Sequence, residues 1–281
     1  MPIVAACAVL LACGLAAIGR WGALAVEAPT WDVPGHPPVS WAVRRYVWTV
    51  SSALWTALIT AVLIVGPGAR LAMRVLAVTA GPGAQGKKTE ADEIVGRISS
   101  DGTIGIFLFV GLFAGLVSVL TFVVVRRWLP GGRLAGVALG GMLLVVFGSR
   151  IDPLRANNPD FDLVGPGWLA ITLYGALALA QGMAVVAVAG KVSRWLPLPS
   201  TGIRTIAPNM IPLILLIPAF FLIPVVVALG AVVVALGRTR ALELARARRT
   251  LLAGRVVIAG ATAAFLPGFV SAAANIAGRG P

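Results

Sequence analysis

The sequence predicts an all-α fold, a polytopic transmembrane bundle of about seven helices forming one integral-membrane domain over residues 1–281. Three observations carry this. Hydrophobic residues make up 59% of the chain and charged residues 12%, with a mean hydropathy of +0.95. A soluble domain is roughly a quarter charged and about half apolar, and it cannot keep so much apolar surface from water. The apolar residues also fall in long runs, most of them near the ~20 residues that carry a helix across ~30 Å of hydrocarbon. None of these runs contains an Asp or a Glu.

The first run, Ile3–Ala25, holds both cysteines, Cys7 and Cys13. Two thiols are too few for a disulfide framework or a zinc site. No basic residue precedes the run, as a signal peptide would require, so it is read as a span. Tyr46–Val65 follows, with Trp41 and Trp48 at its start as interfacial anchors. Leu71–Ala80 carries Arg74 and is too short to cross; it lies in the interface or extends the second helix. Ile104–Val125 is closed by Trp128, and Leu134–Gly148 is short for a crossing. Trp168–Gly190 is bracketed by Trp168 and Trp195. Met210–Leu236 contains Pro212, Pro218 and Pro224, each of which removes a backbone donor and bends a helix. Leu251–Val270 is the last run. Gly111 with Gly115, and Gly136 with Gly140, stand four apart, a spacing that lets helix backbones approach closely in lipid. Arg127-Trp128-Leu129-Pro130 is echoed by Arg194-Trp195-Leu196-Pro197, two spans later and so on the same face.

The net charge of +13 comes from 23 basic and 10 acidic residues. The basic residues sit between apolar runs rather than in a stripe on a soluble face, which argues against nucleic acid as a partner. The partners expected are the lipid bilayer, anionic lipid headgroups and a membrane-protein partner, with the chain multi-pass in the cell membrane. Seven alternating spans place 13 Lys and Arg on the N-terminal side and 10 opposite, a lean toward a cytoplasmic N-terminus.

Absences narrow the chemistry. His36 is the only histidine and sits in a Pro-rich loop, so a multi-histidine metal centre is excluded and a Ser-His site disfavoured. No phosphate-binding glycine loop or dinucleotide fingerprint is present. Acid-free spans argue against a proton-driven carrier. The densest polar constellation is the fourth loop, with Arg150, Asp152, Arg155, Asp160 and Asp162. Its carboxylates are hard-oxygen donors and its arginines suit a phosphate. Turn-forming residues and Arg–Asp pairing explain the same pattern without any ligand, so neither a metal nor a cofactor is expected. Gln181 is expected to hydrogen-bond between helices. Arg70 and Arg74 share a helix face and are candidates for contact with an anionic headgroup, or for pairing with Glu90, Asp92, Glu93 and Asp101.

Several strings in the middle of the chain carry a family resemblance. They are Arg70-Leu71-Ala72-Met73-Arg74, Thr89-Glu90-Ala91-Asp92, Gly102-Thr103, Arg127-Trp128-Leu129-Pro130, Arg150-Ile151-Asp152-Pro153, Asn158-Pro159-Asp160-Phe161-Asp162 and Gly165-Pro166-Gly167-Trp168. Here the chain resembles a family of actinobacterial multi-spanning membrane proteins that has no assigned activity. The resemblance implies a place in the membrane and no catalysis. An Arg-rich, Lys-poor composition is what GC-rich bacterial codons give. Residues for general acid–base work are few, so a permease, channel or scaffold leads. An enzyme acting on a lipid-linked or phosphorylated substrate through residues 150–162, and an accessory subunit of a membrane complex, are the alternatives.

Overall fold

A computed structural model describes residues 2–33, 38–151, 154–216, 228, 231 and 248–280. It contains nine α-helices and no strand among the described residues. We number the helices α1 (Pro2–Trp21), α2 (Val39–Thr60), α3 (Gly66–Thr79), α4 (Ser100–Gly105), α5 (Leu112–Val125), α6 (Arg133–Phe147), α7 (Gly167–Trp195), α8 (Ile203–Met210) and α9 (Arg248–Ala277). Helices α2 and α3 are joined by a π-helical turn at Ala61–Val65, and α4 and α5 by another at Ile106–Gly111. Five stretches are long and apolar enough to cross a membrane: Pro2–Trp21, Val39–Thr79, Ser100–Val125, Gly167–Trp195 and Thr250–Ala277. Arg133–Phe147 is the shorter apolar helix. Of the two readings of Leu71–Ala80, the structure shows the second, a continuation of the second helix. The expected span Met210–Leu236 lies mostly outside the described residues, with Pro218 and Pro224, as does His36.

Call the face where α1 begins the first face. Helix α1 ends on the second face, where the Arg133 guanidinium at the head of α6 donates to the Gly19 carbonyl at 3.0 Å. There too, Arg194 at the tail of α7 pairs with Glu27 at 2.7 Å. Helix α9 begins on this second face as well: Arg255 Nε donates to the Trp128 carbonyl at 3.3 Å. It ends on the first, where the Gly167 amide donates to the Arg279 carbonyl at 3.0 Å. Among the described residues, the start of α1 and the end of α9 therefore lie on the same face. Five of the expected spans coincide with the long apolar stretches, Leu134–Gly148 with the shorter helix α6, and Met210–Leu236 lies mostly outside the described residues.

Glycines set the closest seams. A Cβ on Gly182 of α7 would fall on the backbone of Gly140 in α6, and one on Gly140 would meet Leu179 Cα at 2.7 Å. Gly136 faces Met183 in the same seam, while Gly115 of α5 lies against the Ala57 carbonyl of α2. The two π turns pass each other where Gly111 approaches Gly66. Both pairs of glycines four apart thus have a partner backbone. Interior hydroxyls bond their own helices, Thr56 to the Ser52 carbonyl at 2.8 Å and Ser118 to the Ala114 carbonyl at 2.5 Å. Gln181 Nε2 donates to Thr60 Oγ1 at 3.1 Å, the interhelix bond that its type suggests.

Tryptophans divide into two uses. Trp168 and Trp195 are more than half exposed, as interfacial anchors are. Trp48 is buried instead, and its indole donates to the Leu196 carbonyl at 2.8 Å, fastening α2 to the end of α7. Nearby, Trp55 donates to the Pro208 carbonyl and Ser51 to the Asn209 carbonyl, at 2.8 and 2.7 Å. These bonds seat α8 against α2.

Candidate functional site: a polar clasp on the first face

The fourth loop is built around a short 3-10 turn, Pro159–Asp162. Asn158 starts it, its side-chain oxygen accepting from the Asp160 amide at 2.8 Å, the local bond that makes Asn a favoured cap. Phe161 is buried in a cluster with Leu76, Leu154, Tyr174 and Ile276. That anchor splays the two flanking carboxylates toward different neighbours. Asp160 accepts from the Glu90 amide at 2.8 Å. Asp162 takes both arms of the Arg279 guanidinium, one at 2.7 Å, while Arg279 Nη1 donates to the Ala156 carbonyl at 2.8 Å. Arg155 pairs with Glu90 at 2.5 Å.

Glu90 sits on the small turn closed by the Lys88–Ile94 bridge. The clasp therefore joins three chain segments: the 87–95 turn, the 155–162 loop and the C-terminal tail. One of the expected site residues stands apart from it. Arg150 lies over the Phe265 ring, 4.3 Å from its centroid. Asp152 lies outside the described residues. Among the described residues no three His, Cys, Asp or Glu side chains gather as a cation would need. What this arrangement does chemically is hold loops together by charge-assisted hydrogen bonds. The half-exposed Arg155–Glu90 pair contributes under roughly 1 kcal/mol on its own.

The hydrogen bond from Arg279 holds the Asp162 carboxyl below the usual carboxylate range, and the same bond raises Arg279. A depressed carboxylate contributes stability that is complete above its unfolded pKa, near 3.8, and is lost as pH falls through the lower folded value. Tail docking is thus expected to be constant across neutral pH and to loosen only in strong acid. Proteolytic release of the tail as a function of pH checks this. Asp162→Asn should abolish the acid-dependent step, and release beginning near neutrality would contradict the assignment. Asp160→Asn and Asp162→Asn are both expected to lower membrane abundance modestly, by a factor of about two. Loss of a phenotype at unchanged abundance would instead restore the loop as a reaction site.

Arg70 and Arg74 occupy the α3 extension. At ~1.5 Å per residue they stand about 7 and 13 Å beyond Val65, the expected end of the second span. Arg70 is only 7% exposed and its Nη2 donates to the Ser99 carbonyl at 3.4 Å, with no acceptor for Nε. Arg74 donates to the Gly96 carbonyl at 3.3 Å. The acids expected to pair with them turn elsewhere, Glu90 to Arg155 and Asp92 to Lys88. The two arginines pin the 96–99 segment onto α3, and the half-buried Arg74 is the more open to a headgroup.

A feature not singled out from the sequence lies on α9. Gly260, Ala264 and Gly268 are four apart and exposed, and a Cβ at Gly260 or Gly268 would meet nothing within 4 Å. The spacing was legible; its exposure was not. No protein-family model, curated protein sequence or solved structure matches the chain.

Proposed function

We propose that the chain is a non-catalytic membrane scaffold, an accessory subunit that offers the outer face of α9 to a transmembrane helix of a partner protein. The observation that carries this is the open small-residue ridge of Gly260, Ala264 and Gly268. An apolar helix needs no cover in hydrocarbon, so the exposure of α9 by itself argues for nothing. Small residues at four-residue spacing are different. They let two backbones approach to where dispersion and weak hydrogen bonds hold helices together in lipid. Within this bundle, glycines at that spacing are each set against a neighbouring helix, and the ridge on α9 stands free among the described residues. The engaged carboxylates of the clasp support the absence of catalysis, and the composition supports a multi-pass protein of an actinobacterial cell membrane.

A photo-crosslinking residue at Ala264, introduced into the full chain in its native membrane, tests the reading. One discrete protein adduct is expected there, and none from the lipid-facing Val124. Adding Gly260→Leu and Gly268→Leu should reduce that adduct at least fivefold. Lipid adducts alone at Ala264, with a clean monomer on gentle detergent extraction, would sink the idea.

A further inference from the structure

We infer that the groove between α6 and α9 is a binding site for one anionic phospholipid, with an acyl chain in the groove and its phosphate at Arg255. The groove encloses about 630 Å³, within the roughly 300–1,000 Å³ of small-ligand sites. Gly141, Met142 and Val145 of α6 form one wall, and Ile258, Thr262 and Leu266 of α9 form the other. Thr262 is the polar exception, and its hydroxyl is already satisfied by the Ile258 carbonyl at 2.8 Å. A Cβ at Gly141 would meet nothing within 4 Å, so the floor is open.

Length identifies the occupant. From Arg255 to Leu266 the groove follows α9 for about 16 Å, half of a ~30 Å hydrocarbon core. That is the depth of one leaflet, and hence of one acyl chain.

Charge identifies the headgroup. Trp128, Leu129 and Pro130 close the groove at the second face beside Arg255. Arg255 uses Nε on the Trp128 carbonyl and leaves its remaining N–H groups unengaged. No carboxylate among the described residues pairs with it, nor with Arg127 next to Trp128. The Trp128 indole N–H, packed against Gly254, is buried without an acceptor. A planar guanidinium at headgroup depth suits a phosphate oxygen pair. This site is independent of the partner reading, which uses the opposite side of α9.

The test uses the full chain in phosphatidylcholine nanodiscs containing a minor fraction of phosphatidylglycerol, stripped with mild detergent and weighed by native mass spectrometry. One retained phosphatidylglycerol per chain is expected, with phosphatidylcholine at least tenfold less. Arg255→Gln should erase that preference, and Arg255→Lys should keep part of it. Gly141→Phe should abolish retention of both lipids; if it fails to accumulate, Ala259→Phe, at the same lining, replaces it. Equal retention of the two lipids, no retained lipid, or unchanged preference in Arg255→Gln each overturns the assignment.

Discussion

Substituting Gly182 by valine is expected to leave almost no folded protein in the membrane. The position has no spare volume, because the hydrogen that stands where a side chain would begin already touches the Gly140 backbone. Overpacking a core commonly costs about 1–3 kcal/mol when side chains can yield. Here the obstacle is main chain on a helix that is itself seated, through Gly136 and Gly140, on Met183 and Leu179. Relief requires the whole α6–α7 seam to separate, which also strips Leu139, Val185 and Ala189 of their packing in the core. Against a typical total stability of about 5–15 kcal/mol, losing that seam removes most of the margin. Detergent-solubilised yield by size exclusion checks it, with a drop of tenfold or more expected. Gly19→Val is the control, since a Cβ at Gly19 meets nothing within 4 Å. Equal yields for the two variants would show that α6 and α7 do not meet at Gly140 and Gly182.

This seam also marks the limit of sequence reading. Helix positions were legible, because hydropathy over about 20 residues reports the solvent, and the solvent is lipid. Glycines at four-residue spacing announced close packing at Gly136 and Gly140, but the partner, Gly182, carries no matching pattern on α7. Trp48 looked interfacial because tryptophan usually is. Only the position of the Leu196 carbonyl, 148 residues away, reveals that it is a buried fastener. The polar loop was legible as Arg–Asp pairing, yet the arginine paired with Asp162 is Arg279, which lies 117 residues off and has no local signal. Long-range partners are what a one-dimensional pattern omits.

Cysteines placed at Gly280 and Gly131 are expected to fall on opposite sides of the membrane, with Gly280 on the outside. The geometry puts α1's start and α9's end on the first face and the α5–α6 turn on the second. Basic residues then divide anew. The first face holds five between residues 70 and 97, Arg150, Arg155 and Arg279, hence eight. The second holds three in each of the segments 20–45, 126–133, 191–204 and 248–255, hence twelve, while Arg238, Arg240 and Arg246 lie outside the described residues. Short loops rich in Lys and Arg stay cytoplasmic, so the second face is the one expected in the cytoplasm. On this division of charge the clasp with Asp162 and Arg279 is expected on the exterior, opposite to the side that seven alternating spans favour. In a Cys7→Ser, Cys13→Ser background, a membrane-impermeant maleimide should label Gly280→Cys in intact cells, and Gly131→Cys only after permeabilisation. Labelling of both in intact cells would contradict the placement of the two positions on opposite faces. An exchange of the two results would keep that placement and overturn the orientation alone, because the placement depends on helix ends and the orientation on charge.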